Sequence, residues 1–338
     1  MIVGVAYHYV RPSYDQPHPG IFGLTVDEFR TQLELLGRYG QFIGLADLEA
    51  AFDGRKSLPN RGWMITFDDG LREQYEHALP VLDELRIPAL FFANTKPGAE
   101  HEPLAVHMAH LLRSQIAPGT IMATVLDIAN SRTLRIGEID RQKAANQYPY
   151  DTPEAAELKY LLNFELPESL REQVMETCFD RLLGWDRPAV CRSLYMSTDQ
   201  LTELARRGYL GTHTHSHPPL GLLEMSAARN DIRRSIELLE KWTGVRVNSI
   251  GYPYGSFEAC PRHVGKLSAE LGIRFGFTME RAGFGVDDDA MLLPRYAPND
   301  VPGGNSSRWK GQEIFTLTPR SSRYSDNGSK STSSAIHA

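Results

Sequence analysis

Short apolar runs alternate with amphipathic stretches toward both ends of this chain, and the alternation predicts strands and helices in turn. Residues 2–9 are apolar and β-branched and read as a first strand. Thr25-Val26-Asp27-Glu28 has the form of a capping box, with Phe29, Leu33, Leu36 and Tyr39 following at helical spacing. A short helix over 46–52 leads to a strand over 63–67, helical spacing returns over 72–85, and 87–94 is again strongly apolar. The rhythm then stops: 96–195 carries helical apolar clusters and nothing that reads as a strand. It resumes with a capped helix to 207, a strand over 208–212, a long amphipathic helix over 226–242, a strand over 247–252, a helix over 261–271 and a strand over 273–278, and 292–296 supplies a last strand end. Strand, helix and strand in repeated order predict a parallel sheet. The expected organisation is therefore an α/β domain built from 1–95 and 197–300, a helical insertion over 96–196, and a disordered or vector-derived tail over 316–338, rich in Ser, Gly and Asn.

Composition narrows the class. The 338 residues suffice for a substantial core, and 41% apolar and 23% charged residues are ordinary for a soluble globular protein. A net charge of −6 offers no basic surface to nucleic acid. Three widely spaced cysteines (Cys178, Cys191 and Cys260) suggest neither a disulfide framework nor a cysteine zinc site. The N-terminus has no basic, then apolar, leader pattern and no run of about 18 apolar residues occurs, so the expectation is a cytoplasmic protein with no integral membrane segment.

Chemistry concentrates at two strand ends. Trp63-Met64-Ile65-Thr66-Phe67-Asp68-Asp69-Gly70 ends a strand in adjacent carboxylates, which are expensive to bring together without a positive group; an Asp-Asp-Gly run is also an ordinary strand-closing turn. His213-Thr214-His215-Ser216-His217 ends another strand, with Pro218 and Pro219 directly after it. Two imidazoles and one carboxylate form a three-ligand set that leaves a position open for water, the pattern of a catalytic metal. Strand C-termini of a parallel sheet or barrel converge on one face, which makes a joint site the better reading of the two motifs together. His215, between the ligands, is expected to be structural or substrate-facing. His101, His107 and His110 in the insertion are expected to be bystanders.

These residues carry a resemblance. Thr66-Phe67-Asp68-Asp69-Gly70 with Pro80-Val81-Leu82 and Ile87-Pro88-Ala89-Leu90-Phe91-Phe92 resembles the first motif of the NodB-homology polysaccharide deacetylases. His213-Thr214-His215-Ser216-His217 resembles their second motif, and Tyr252-Pro253-Tyr254-Gly255 is similar to a variant of their third. The resemblance implies a distorted, incomplete (β/α) barrel with a helical insertion. It implies a metal-dependent hydrolase, acting on a C–N bond other than a peptide bond, that removes an N-acetyl or other acyl group from an amino sugar or saccharide. By that resemblance Asp69, His213 and His217 hold a divalent metal ion, Asp68 is the general base, and the backbone N–H of Tyr254 faces the oxyanion. Zinc is the first expectation, with cobalt, nickel and iron also suited to such ligands.

Two departures matter. The C-terminal Leu-x-His that supplies an acid in most members is absent, Leu292-Leu293-Pro294-Arg295 standing there; Ala6-Tyr7-His8-Tyr9-Val10 instead resembles the N-terminal Tyr-His strand of a branch that includes exopolysaccharide deacetylases, in which this histidine is the acid. That makes His8 the expected acid. The third-motif arginine that orients the base is replaced by Gly251, and Arg295 is the expected substitute. The insertion leaves a strand C-terminus, so it is expected to cap the active-site face and to favour a small, nucleotide-linked or lipid-linked saccharide over a wall polymer. The rival readings are a hydrolase of a non-sugar amide, a catalytically impaired saccharide binder and a non-haem iron oxygenase; the last normally has its His-x-carboxylate pair first in the sequence.

Overall fold

In the computed structural model, which describes residues 1–15, 18, 21, 23–131, 139–147, 151–166 and 168–317, the strands expected on either side of the insertion all form. The tail from residue 318 onward lies outside the described residues; the last described element is a short helix, Ile314–Leu317. The described chain divides into two compact units, the first being Met1–Pro12, Gly23–His101 and Arg192–Ala338, the second Ser13–Phe22 and Glu102–Cys191.

The first unit contains ten strands among its described residues: β1 (Ile2–Tyr7), β2 (Val10–Arg11), β3 (Leu24–Thr25), β4 (Gln41–Phe42), β5 (Gly62–Phe67), β6 (Ala89–Ala93), β7 (Leu210–Thr212), β8 (Ser249–Gly251), β9 (Phe275–Phe277) and β10 (Arg295–Tyr296). Seven run in the order β10-β1-β5-β6-β7-β8-β9, β4 pairs beside β5, and every pairing in this sheet is parallel. A single parallel bridge, Phe277 to Leu293, joins β9 to the approach of β10, so the sheet is a nearly closed seven-stranded barrel. The short strands β2, β3 and β4 were not expected from the pattern, because two residues are too few to show a period.

Burial explains why these strands read as continuous apolar runs. Every residue of β1, β5 and β6 is buried, as in sheets covered on both faces. Alternate residues serve different layers. Val3, Val5, Tyr7, Ile65, Phe67 and Phe91 pack outward with Phe29, Leu33 and Leu36 of the helix Val26–Gly37 and with Leu204, Ile232 and Leu239 of later helices. Ile2, Met64, Leu90, Phe92, Phe275, Phe277 and Leu293 form a separate cluster that fills the barrel's interior together with Leu45 and Leu48. Thr66 and Asp68 continue the Met64 phase along β5, which carries a carboxylate to the rim of that interior.

The second unit is helical among its described residues. Leu111 and Leu112 of Ala105–Gln115, Ile121, Val125 and Ile128 of Pro118–Ser131, and Val174, Cys178 and Phe179 of Glu168–Leu182 are buried. No described helix of the chain is long and apolar enough to cross a membrane.

Candidate active site

Asp68 sits just past the end of β5, where its N–H gives the last rung of the β1–β5 ladder to the Tyr7 carbonyl (3.0 Å). Its carboxylate receives a bidentate pair of bonds from Arg295, Nη1 to Oδ1 at 2.7 Å and Nη2 to Oδ2 at 2.8 Å. Arg295 is fully buried in the barrel; Nη1 also donates to Thr66 Oγ1 (2.8 Å) and the guanidinium lies 5.3 Å from the centre of the Phe92 ring. Two glycines make room around the pair and the Phe92 ring beside it. A Cβ on Gly4, the register partner of Arg295, would fall 2.8 Å from Arg295 Cγ, and a Cβ on Gly251 would fall 2.7 Å from the Phe92 ring and 3.2 Å from Asp68 Oδ1. Burial would push the Asp68 carboxyl up, but the Arg295 guanidinium, with His213 and His8 further off, outweighs it and holds the group below the usual carboxylate range.

Asp69 leaves the strand phase, with φ at 77°, and turns toward the end of β7. His213 continues the β6–β7 ladder, its N–H donating to the Ala93 carbonyl (2.8 Å), and its Nδ1 meets the Gly251 carbonyl at 2.7 Å. A carbonyl partner fixes that nitrogen as the N–H and leaves the lone pair on Nε2. His213 Nε2 lies 3.4 Å and His217 Nε2 3.5 Å from the same atom, Asp69 Oδ1. Donors each about 2.0–2.1 Å from a tetrahedral zinc ion stand roughly 3.4 Å apart, so the set fits one cation. All three ligand atoms lie within 4.8 Å of one another. Burial pushes the His213 imidazole below its usual value against the attraction of Asp68 and Asp69, which favours the neutral form a cation needs.

The loop that carries the histidines is tied on all sides. Thr214 (φ 70°) and His217 (φ 62°) adopt left-handed backbone, and Thr214 Oγ1 accepts from the His217 N–H (3.1 Å). The Asn94 amide donates to the carbonyls of His213 and Thr214 (the latter 3.3 Å), and Asp231 accepts from the N–H of His215 (2.8 Å) and the hydroxyl of Ser216 (2.5 Å). His215 is 5% exposed; its Nδ1 meets Thr95 Oγ1 at 2.8 Å and its Nε2 meets Glu100 Oε1 at 3.0 Å, so of its two expected roles the structural one fits. Arg234 Nη2 holds the same Glu100 oxygen at 2.6 Å.

His8, just beyond β1, stands with Nε2 4.0 Å from Asp68 Oδ2 and its side chain 43% exposed, reachable from solvent while Asp68 is not. Tyr254 has φ at 61°, and its ring lies edge-on to His217 with centres 5.0 Å apart. Left-handed backbone in a non-glycine residue costs about 1–2 kcal/mol. Four of the six such residues described (Asp69, Thr214, His217 and Tyr254) border this one site, as strain concentrated at function would place them. Sequence reasoning missed Asn94, Thr95, Glu100 and Asp231, which act on main-chain groups or on His215 and belong to no spaced motif. His107, one of the expected bystanders, is buried on a helix of the second unit.

A family model described as Polysaccharide deacetylase matches residues 55–117 and 176–276. The chain belongs to the polysaccharide deacetylase family. The matched residues of this deacetylase family member include Asp68, Asp69, His213 and His217, while His8 and Arg295 lie outside them. Among solved structures, the deacetylase PplD of Streptococcus pyogenes, in complex with acetate, is 13% identical, with a TM-score of 0.53 over 95% of this chain and 98% of PplD. The BpsB deacetylase domain of Bordetella bronchiseptica is 17% identical, with a TM-score of 0.50 over 88% and 95%. At such identities the likeness is one of fold. No curated protein sequence matches the chain.

Proposed function

We propose that this family member is a metal-dependent hydrolase that removes an acetyl or other acyl group from the nitrogen of an amino sugar or saccharide. The observation that carries the reading is the meeting of His213 Nε2 and His217 Nε2 at a single oxygen of Asp69, 3.4 and 3.5 Å away, next to a carboxylate, Asp68, that Arg295 holds ionised.

Asp69, His213 and His217 would hold the divalent cation, zinc first, with cobalt, nickel and iron as alternatives. When bound, the cation lowers the pKa of water and polarises the acyl oxygen. The remaining work belongs to the chain. Asp68 accepts the proton of the attacking water; its two bonds to Arg295 keep it charged and fix the direction of its lone pairs. The backbone N–H of Tyr254 faces the negative charge that develops on the acyl oxygen. His8, half in solvent and 4.0 Å from Asp68, donates a proton to the departing amine nitrogen. Arg295 takes the base-orienting place of the third-motif arginine that Gly251 lacks, and the same Gly251 gives the space that Phe92 and Asp68 occupy.

The test is acetate release from N-acetylated amino sugars offered free, as oligosaccharides, nucleotide-linked and lipid-linked, by protein loaded in turn with zinc, cobalt and nickel. Turnover that falls by about 10³-fold or more in Asp68→Asn, with metal content unchanged, is the expected result. Loss of metal in Asp68→Asn would exchange the duties of the two aspartates. Saccharide binding without acetate release from any of the substrates would leave a binding protein and overturn the hydrolase.

A further inference from the structure

The β1–β5 ladder ends with the Asp68 N–H on the Tyr7 carbonyl. One residue further, the carbonyls of His8 and Asp68 have passed the last rung, and here a side chain takes over. Gln74 Nε2 donates to the His8 carbonyl at 2.9 Å and to the Asp68 carbonyl at 2.6 Å. Both partners are acceptors, so the amide's orientation is fixed by them. Gln74 is fully buried, and its Oε1 is a buried acceptor without a hydrogen-bond partner among the described residues. A stranded amide oxygen is costly, and packing alone does not explain it, since Leu or Met would fill the space without it. The two donors are what this position supplies.

The segment that presents Gln74 is anchored for the purpose. Gln74 opens a π-helical turn, Gln74–Ala78, a conformation concentrated at functional sites. The residue before it, Glu73, faces the buried Arg11 of β2, Oε2 to Nε 3.5 Å, so the turn is tied to the same stretch of chain that carries His8. Asn94 repeats the arrangement one strand pair away: past the His213-to-Ala93 rung its amide takes the carbonyls of His213 and Thr214. The geometry points to Gln74 as a positioning residue that sets the separation of His8 from Asp68 by gripping the main chain beneath both. The inference rests on the reading of these two as acid and base.

The test uses full-length, zinc-loaded protein and an N-acetylglucosamine tetrasaccharide as probe. Gln74→Met is expected to lower kcat about tenfold to a hundredfold, with KM and zinc affinity within about twofold. In a His8→Ala background the same substitution is expected to lower kcat by less than about threefold, because the group it positions is gone. Gln74→Leu replaces Gln74→Met if the latter does not fold. An equal loss with and without His8, or an unchanged kcat in the Gln74 variant, overturns the clamp. Failure of the premise is seen separately, as wild-type protein without turnover or as His8→Ala with wild-type turnover, and either also sinks the proposal.

Discussion

Arg295 and Asp68 form the pair on which the electrostatics of the site turn. Both are buried, both oxygens and both terminal nitrogens are used, and removal of one partner leaves a charge enclosed in the barrel. Arg295→Met is therefore expected to destabilise the fold by about 3–5 kcal/mol in chemical denaturation. The sign of the pH effect follows from the lowered carboxyl. In wild type the stability contributed by Asp68 is complete above the ordinary carboxylate pKa and is lost as pH falls through the lowered folded value. In Arg295→Met burial is opposed only by His213 and His8, the folded pKa rises, and the acidic limb of the kcat profile should move to higher pH. At this scale much of the site was legible: Asp68, Asp69, His213 and His217 stand in short motifs whose chemistry has few uses. The space for Arg295 was not. Gly4 matters for an absent Cβ opposite Arg295, and Gly251 for one opposite Phe92 and Asp68, side chains far away in the sequence that no local pattern links to them.

At the level of elements, the site is a set of strand ends extended by side chains. Where the ladders run out, Gln74, Asn94, Asp231 and Thr214 continue the bonding of the main chain, and the ligand loop is held by partners that no spaced motif announces. Glu100 is the most remote of them. Glu100→Ala should free His215 Nε2 and loosen the loop on which His213 and His217 ride, weakening zinc affinity about tenfold to a hundredfold in calorimetric titration, with Tm of the metal-free protein little changed. The periodicity located each long element within a few residues. Its strands came out too long, as at 247–252 against the observed Ser249–Gly251, because apolar sequence continues into the buried turns while the hydrogen-bonded ladder stops.

Across the whole molecule, the β/α rhythm and its interruption were both visible, and the parallel barrel follows from them. What the pattern does not contain is the association of Ser13–Phe22 with Glu102–Cys191 in one unit, since a Pro-, His- and Gly-rich loop carries no period linking it to distant helices. The three proposed ligands, drawn from two strand ends, would couple cation binding to the integrity of the first unit. Zinc at about 100 times its Kd should add about 2.7 kcal/mol to stability, seen as a rise in Tm that Asp69→Ala abolishes. A rise of equal size in Asp69→Ala would show that the cation binds elsewhere.

The barrel's circle closes through one bridge, Phe277 to Leu293, beside the two-residue strand that bears Arg295. On its other side that strand is registered to β1 at Gly4 and Val5 alone. The seam is thus a thin stretch of the ring, and it bears the guanidinium that holds Asp68. Fluctuation there would let go of Asp68 while the other staves stay joined, so on heating the protein would fall silent as a catalyst before it melts.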